Sequence, residues 1–100
     1  MFKRAWLGVI GLSITEEIGR YYGLPVGRGV LVTNVTEGSP AYNAGMVDGD
    51  IILEIDDTET RSIEDLVREI RKRKVGDRVR IFALRNSREH FFELKLSQLP

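Results

Sequence analysis

The chain contains no cysteine, which excludes a disulfide framework, a thiolate zinc site and a cysteine nucleophile while leaving the redox compartment open. It has no apolar run near the ~20 residues that a membrane-spanning helix needs, and Met1 to Arg4 is too short, and without the apolar stretch, for a signal peptide. It has no net charge, 15 Lys and Arg standing against 15 Asp and Glu, so no global field favours nucleic acid, an anionic membrane or an acidic substrate. Repeats and low-complexity segments are absent too. His90 is the one histidine, and a Ser-His-Asp triad would have to pair it with one of five serines, none in a Gly-x-Ser-x-Gly or Gly-Asp-Ser-Gly setting. The glycines from Gly23 to Gly29 lack the Gly-Lys-Ser/Thr of a phosphate cradle.

What is present is one domain's worth of alternating short elements, 100 residues in all. Leu7 to Ile14 is apolar and partly β-branched, and reads as a strand whose glycines let another backbone approach. Thr15 with Glu16 and Glu17 opens a short helix that Gly23 and Pro25 close, with Ile18, Tyr21 and Tyr22 on one side. Val30 to Val35 predicts a second, buried strand. Ser39-Pro40 is an N-cap followed by proline at the first helical position, and Gly45 stops that helix after about one and a half turns. Asp48-Gly49-Asp50 turns the chain into the strand Ile51 to Ile55, and Asp56-Asp57 ends it.

Ser62 with Asp65 three residues on starts the clearest helix, Ile63 to about Arg73, with Ile63, Leu66, Val67 and Ile70 at helical spacing on one face. Val79 to Leu84 and Phe91 to Leu96 then flank a hairpin turn at Asn86 to Glu89. About five strands and two well-formed helices predict a mostly-β or α+β domain, a small partly open barrel or sandwich capped by helices. A strand at the edge of such a fold, beside an amphipathic helix, is a slot for an extended peptide, because unpaired backbone groups supply affinity and the helix supplies side-chain pockets.

Three motifs, taken together, resemble PDZ domains, in particular those of bacterial and archaeal HtrA-type serine proteases. Trp6-Leu7-Gly8-Val9 is similar to that family's carboxylate-binding loop. Glu37-Gly38-Ser39-Pro40-Ala41, Ala44-Gly45 and Gly49-Asp50-Ile51-Ile52 are similar to its Gly-Ser-Pro-Ala, Ala-Gly and Gly-Asp signature, and Ser62 to Val67 to the start of its groove helix. The resemblance covers nearly the whole chain and implies the circularly permuted bacterial order, in which the carboxylate loop comes first. It implies a non-catalytic module, residues 1–100, within a larger protease chain, that binds C-terminal peptides or unfolded apolar segments by strand addition. The loop Trp6 to Val9 would take the carboxylate, Ile10, Gly11 and Leu12 would form the groove strand, and Ile63, Leu66, Val67 and Ile70 the groove helix, with Lys3 and Arg4 as a cationic rim. Ile63 stands where some animal relatives carry a ligand-selecting histidine, which implies an apolar rather than a Ser/Thr preference. A parent that is extracytoplasmic or periplasmic is implied, with membrane anchoring and oligomerisation left open. The same fold attached to a membrane metalloprotease, a tail-specific protease or a secretion component is the alternative, and a stand-alone hydrolase using His90 a more distant one.

Other features have plainer readings. The stripe on the Ile63 helix would suit any core-facing helix, and Trp6 reads equally as a packing aromatic. Asp48, Asp50, Asp56 and Asp57 lie where turns need Asp, so no metal and no cofactor is expected. Arg71-Lys72-Arg73-Lys74, with Arg78 and Arg80 after it, offsets a helix dipole and solvates the helix end. Because Phe82, Phe91 and Phe92 alternate as core residues would, no stacking platform for nucleic acid is expected. A patch that docks an acidic protein surface remains open.

Overall fold

The computed structural model describes residues 3–100. The strands are β1 (Ala5–Trp6), β2 (Val9–Ile14), β3 (Gly29–Val35), β4 (Ile51–Ile55), β5 (Thr58–Glu59), β6 (Arg78–Arg85), β7 (Arg88–Lys95) and β8 (Ser97–Gln98). The helices are α1 (Glu16–Tyr21), α2 (Pro40–Asn43) and α3 (Ile63–Arg71). The main sheet runs β2-β3-β4-β6-β7, entirely antiparallel, with β5 beside β4 and a separate β1–β8 pair. It is open and does not close into a barrel, so β2 ends the sheet on one side and β7 on the other. Among the described residues the architecture is mostly β with three helices, the expected class.

Strands that the apolar runs marked are present, and the differences lie at their ends. The β6–β7 hairpin is longer than the run of apolar residues because Arg85 pairs directly with Arg88 around a two-residue turn. Asn86 and Ser87 take positive φ there, 52° and 63°, the conformation whose twist matches the flanking strands. Asp56 and Asp57 do the same between β4 and the unexpected β5, at 47° and 67°. β1 and β8 are too short to carry a periodic signal, and only chain closure brings them together.

The core lies between the sheet and the helices. Val30, Val32, Ile52, Ile55, Ile81, Ala83, Leu66 and Leu96 are buried within it. α3 is nine residues long, too short to be stable alone. Burial of Leu66 and Ile70 contributes roughly 3–6 kcal/mol and so holds it in place. Its start is capped by Ser62 Oγ, which accepts from Asp65 N–H at 3.1 Å, while Asp65 accepts in return from Arg61 N–H at 3.0 Å, one residue earlier than a standard capping box.

On α1 the tyrosines of the Ile18, Tyr21 and Tyr22 side do not enter the core: both are exposed and pack edge to face on each other. The helix docks instead through Gly19, where a Cβ would come within 2.7 Å of Val26 O. Nor do Phe82, Phe91 and Phe92 share the core. Phe92 is buried, but Phe82 and Phe91 are paired across the ladder on the opposite face, with rings 5.0 Å apart and the Arg80 guanidinium 4.0 Å above Phe91. Strict alternation puts neighbours 91 and 92 on opposite faces.

Candidate functional site

The site begins with what fixes the loop between β1 and β2. Leu7 O accepts from Ala41 N–H at 3.0 Å, and Gly8 O accepts from Thr36 N–H at 2.8 Å. A peptide unit is planar and its N–H points opposite to its C=O. Anchoring those two carbonyls on the Thr36 to Ala41 side therefore turns the amides of Gly8 and Val9 to the other side. The Thr36 bond also makes Val9 and Val35 a pair whose own polar groups point away from each other, leaving the Val9 N–H on the unpaired edge of β2. Among the described residues, the amides of Leu7 and Gly8 donate to no backbone carbonyl outside the strand ladders.

Gly8 is required for a reason other than ligand access. Its φ is 95°, and a methyl built on it would fall inside the Ser39 side chain, far closer than the 3.0 Å that real Cβ atoms keep. Ser39 is fully buried as the N-cap of α2, with Oγ accepting from Tyr42 N–H at 3.1 Å. The Gly-Ser-Pro-Ala segment is thus the back wall of the loop. Its companion Gly49-Asp50 is structural as well: Asp50 is completely buried, receives Arg85 through both carboxylate oxygens at 2.8 and 2.9 Å, and accepts from Val47 N–H at 3.0 Å. That charge-assisted pair holds the Arg85 guanidinium above its ordinary pKa.

Beside this loop lies α3, tied to β2 by Ile63 N–H donating to Ser13 Oγ at 2.8 Å. Loop and helix enclose a cleft of about 740 Å³. Trp6, Leu7, Gly8 and Val9 line one wall and Ile63, Leu66, Val67 and Ile70 the other, so the structure brings together both expected sets. They differ in depth. Leu7, Leu66 and Ile70 are floor residues that also belong to the core, whereas Val67 is 39% exposed and Ile63 only partly buried. Lys3 and Arg4 also line the cleft, and both are exposed.

Ile10, Gly11 and Leu12 do not line the cleft. A register shift lies between Ile10 and Gly11, and a Cβ on Gly11 would meet Val30 and Leu31 of β3 within 3 Å, so that glycine serves the close approach of a neighbouring strand. Two contributors escaped the sequence reading. Leu99 reaches the cleft because its N–H donates to Arg4 O at 2.8 Å beside the β1–β8 pair. Arg71, Lys72, Arg73 and Lys74, read as solvating cations, line it too. Helical spacing held the signal for Arg71, which follows Val67 by four residues on α3, whereas Lys72, Arg73 and Lys74 lie beyond the last residue of the helix. His90 stacks on Phe92 at 6.0 Å, and among the described residues it makes no hydrogen bond to a serine.

A family model described as PDZ domain matches residues 8–96. A probable periplasmic serine endoprotease DegP-like of Bartonella henselae is 30% identical over 100 residues, all of this chain but 20% of that protein. The magnetosome formation protease MamE of Magnetospirillum gryphiswaldense is 37% identical over 83 residues, 83% of this chain and 11% of that protein. A solved structure of the HtrA-type protease AlgW with decapeptide superposes with a TM-score of 0.88 at 28% identity, covering 98% of this chain and 30% of that one. The chain thus spans about a fifth or less of the length of these curated relatives. An open antiparallel sheet, a glycine loop with outward amides and a helix facing it agree with that match over most of the sequence, and the chain belongs to the PDZ domain family, with HtrA-type proteases among its relatives.

Proposed function

We propose that this chain is a non-catalytic peptide-binding module that captures C-terminal or extended apolar segments and presents them to, or signals their presence to, an HtrA-like serine protease domain in a longer parent chain. The observation that carries this reading is the pair of Gly8 and Val9 amides turned outward beside a cleft with an apolar floor and a cationic mouth. A terminal carboxylate needs converging N–H donors and a nearby positive field. The last side chain of the peptide lies on Leu7, Leu66 and Ile70, and its backbone runs along the unpaired edge of β2. Residues 1–100 act as one domain. The periplasmic relatives support an extracytoplasmic parent.

The test is a heteronuclear NMR titration with a short peptide ending in valine. Expected are amide shifts at Gly8 and Val9 together with methyl shifts at Val67 and Ile63. Shifts confined to β6 and β7, or none at millimolar peptide, would overturn the proposal.

A further inference from the structure

Among the described residues, the cleft is lined by six cations and by no Asp or Glu, in a chain whose charges balance overall. Two of the six are neutralised: Lys72 by Glu69 at 2.9 Å and Arg73 by Asp56 at 2.9 Å. Among the described residues, Lys3, Arg4, Arg71 and Lys74 have no ion-pair partner, and all four are exposed at the cleft mouth. The half-charge at the end of α3 and one ligand carboxylate together offset about one and a half of these four charges. The surplus faces the ligand. We infer that the cleft selects peptides carrying an acidic side chain next to the terminal residue, an inference that rests on the peptide-binding reading above. In an extended peptide, side chains alternate. With the last one on the apolar floor, the next-to-last turns outward to the rim, where Lys3, Arg4, Arg71 and Lys74 lie within reach of its field, about 8–10 Å at moderate salt.

The experiment is calorimetric titration of three free-acid peptides, identical except for Glu, Gln or Lys at the next-to-last position, at low ionic strength and at about 0.5 M salt. Affinity should fall in the order Glu, Gln, Lys by about two- to fivefold per step at low salt. The spread should collapse at high salt, and equally in an Arg71→Gln/Lys74→Gln variant, whose folding is checked by circular dichroism. Equal affinities for the three peptides would overturn the acidic preference and leave the module reading standing. Failure of all three to bind would overturn both. A short oligonucleotide that binds more tightly than the Glu peptide would reassign the surplus charge to a polyanion and also sink the inference.

Discussion

Gly8→Ala should destabilise the domain by about 2–5 kcal/mol, made up of roughly 1–2 for an L-residue at positive φ and roughly 1–3 for overpacking against Ser39. Ser39 cannot step aside, because it is fully buried and caps α2. The two contributions are separable. Ser39→Gly removes the side chain that the new methyl would strike and, as a glycine cap, should itself cost only a few tenths of a kcal/mol. In the double variant Gly8→Ala/Ser39→Gly the overlap vanishes while the backbone strain stays. A urea-unfolding double-mutant cycle, followed by circular dichroism and by Trp6 fluorescence, should therefore return a favourable coupling of about 1–3 kcal/mol. Additivity within about 0.5 kcal/mol would show that Ser39 does not shape the loop, and the account of the Gly-Ser-Pro-Ala motif as its back wall would be wrong. A domain with the usual margin of about 5–15 kcal/mol stays folded enough for the measurement.

Val67→Asp should leave the thermal midpoint nearly unchanged and weaken an apolar-ended peptide at least about tenfold, because Val67 is exposed on the cleft wall. Ile70→Asp should instead unfold the domain, its side chain being core as well as floor, so a folded Ile70→Asp by circular dichroism would contradict the assignment of depth. Asp50→Asn should lower stability by about 2–3 kcal/mol in urea, since the buried acceptor of Arg85 loses its charge while the partly exposed guanidinium can turn to water. Asp65 is held below the ordinary carboxylate range by Arg68 and then by Arg61 N–H, and Glu69 by Lys72 and then Arg73. The folded state then binds fewer protons than the unfolded one, so their contribution is complete above that range and is lost as pH falls through it. Urea midpoints measured from neutral pH downward should fall, and a midpoint that rises on acidification would reverse the sign.

Much of this was legible in the residues. Strands Ile51 to Ile55 and Val30 to Val35 announced themselves by β-branched apolar runs, and α3 by its cap and its stripe. The Trp6 to Val9 loop and the α3 face meet at one cleft. What the sequence hid depends on the third dimension. Phe91 and Phe92 are equal as letters but sit on opposite faces of β7, a distinction set by register. Gly8 and Gly11 read as places where another backbone could approach; Gly11 does meet β3 in that way, but at Gly8 the neighbour is the Ser39 side chain. Leu99 joined the cleft only through a two-residue pairing that no periodicity could signal. The Arg71 to Lys74 run looked like a solvated helix end because its other neighbour, the loop, is more than 60 residues away in sequence.

The claim at the centre is that the Gly8 and Val9 amides read a chain terminus. One apolar-ended peptide should be titrated calorimetrically twice, as the free acid and as the C-terminal amide, at the same salt. Charge-assisted bonds are worth about 1.5–3 kcal/mol each against roughly half that for neutral ones, so over the two amides amidation should cost about 1.5–3 kcal/mol and weaken binding by about ten- to hundredfold from a micromolar starting point. Equal affinity of acid and amide would mean that the loop reads no terminus, and that any segment in the cleft is an internal one.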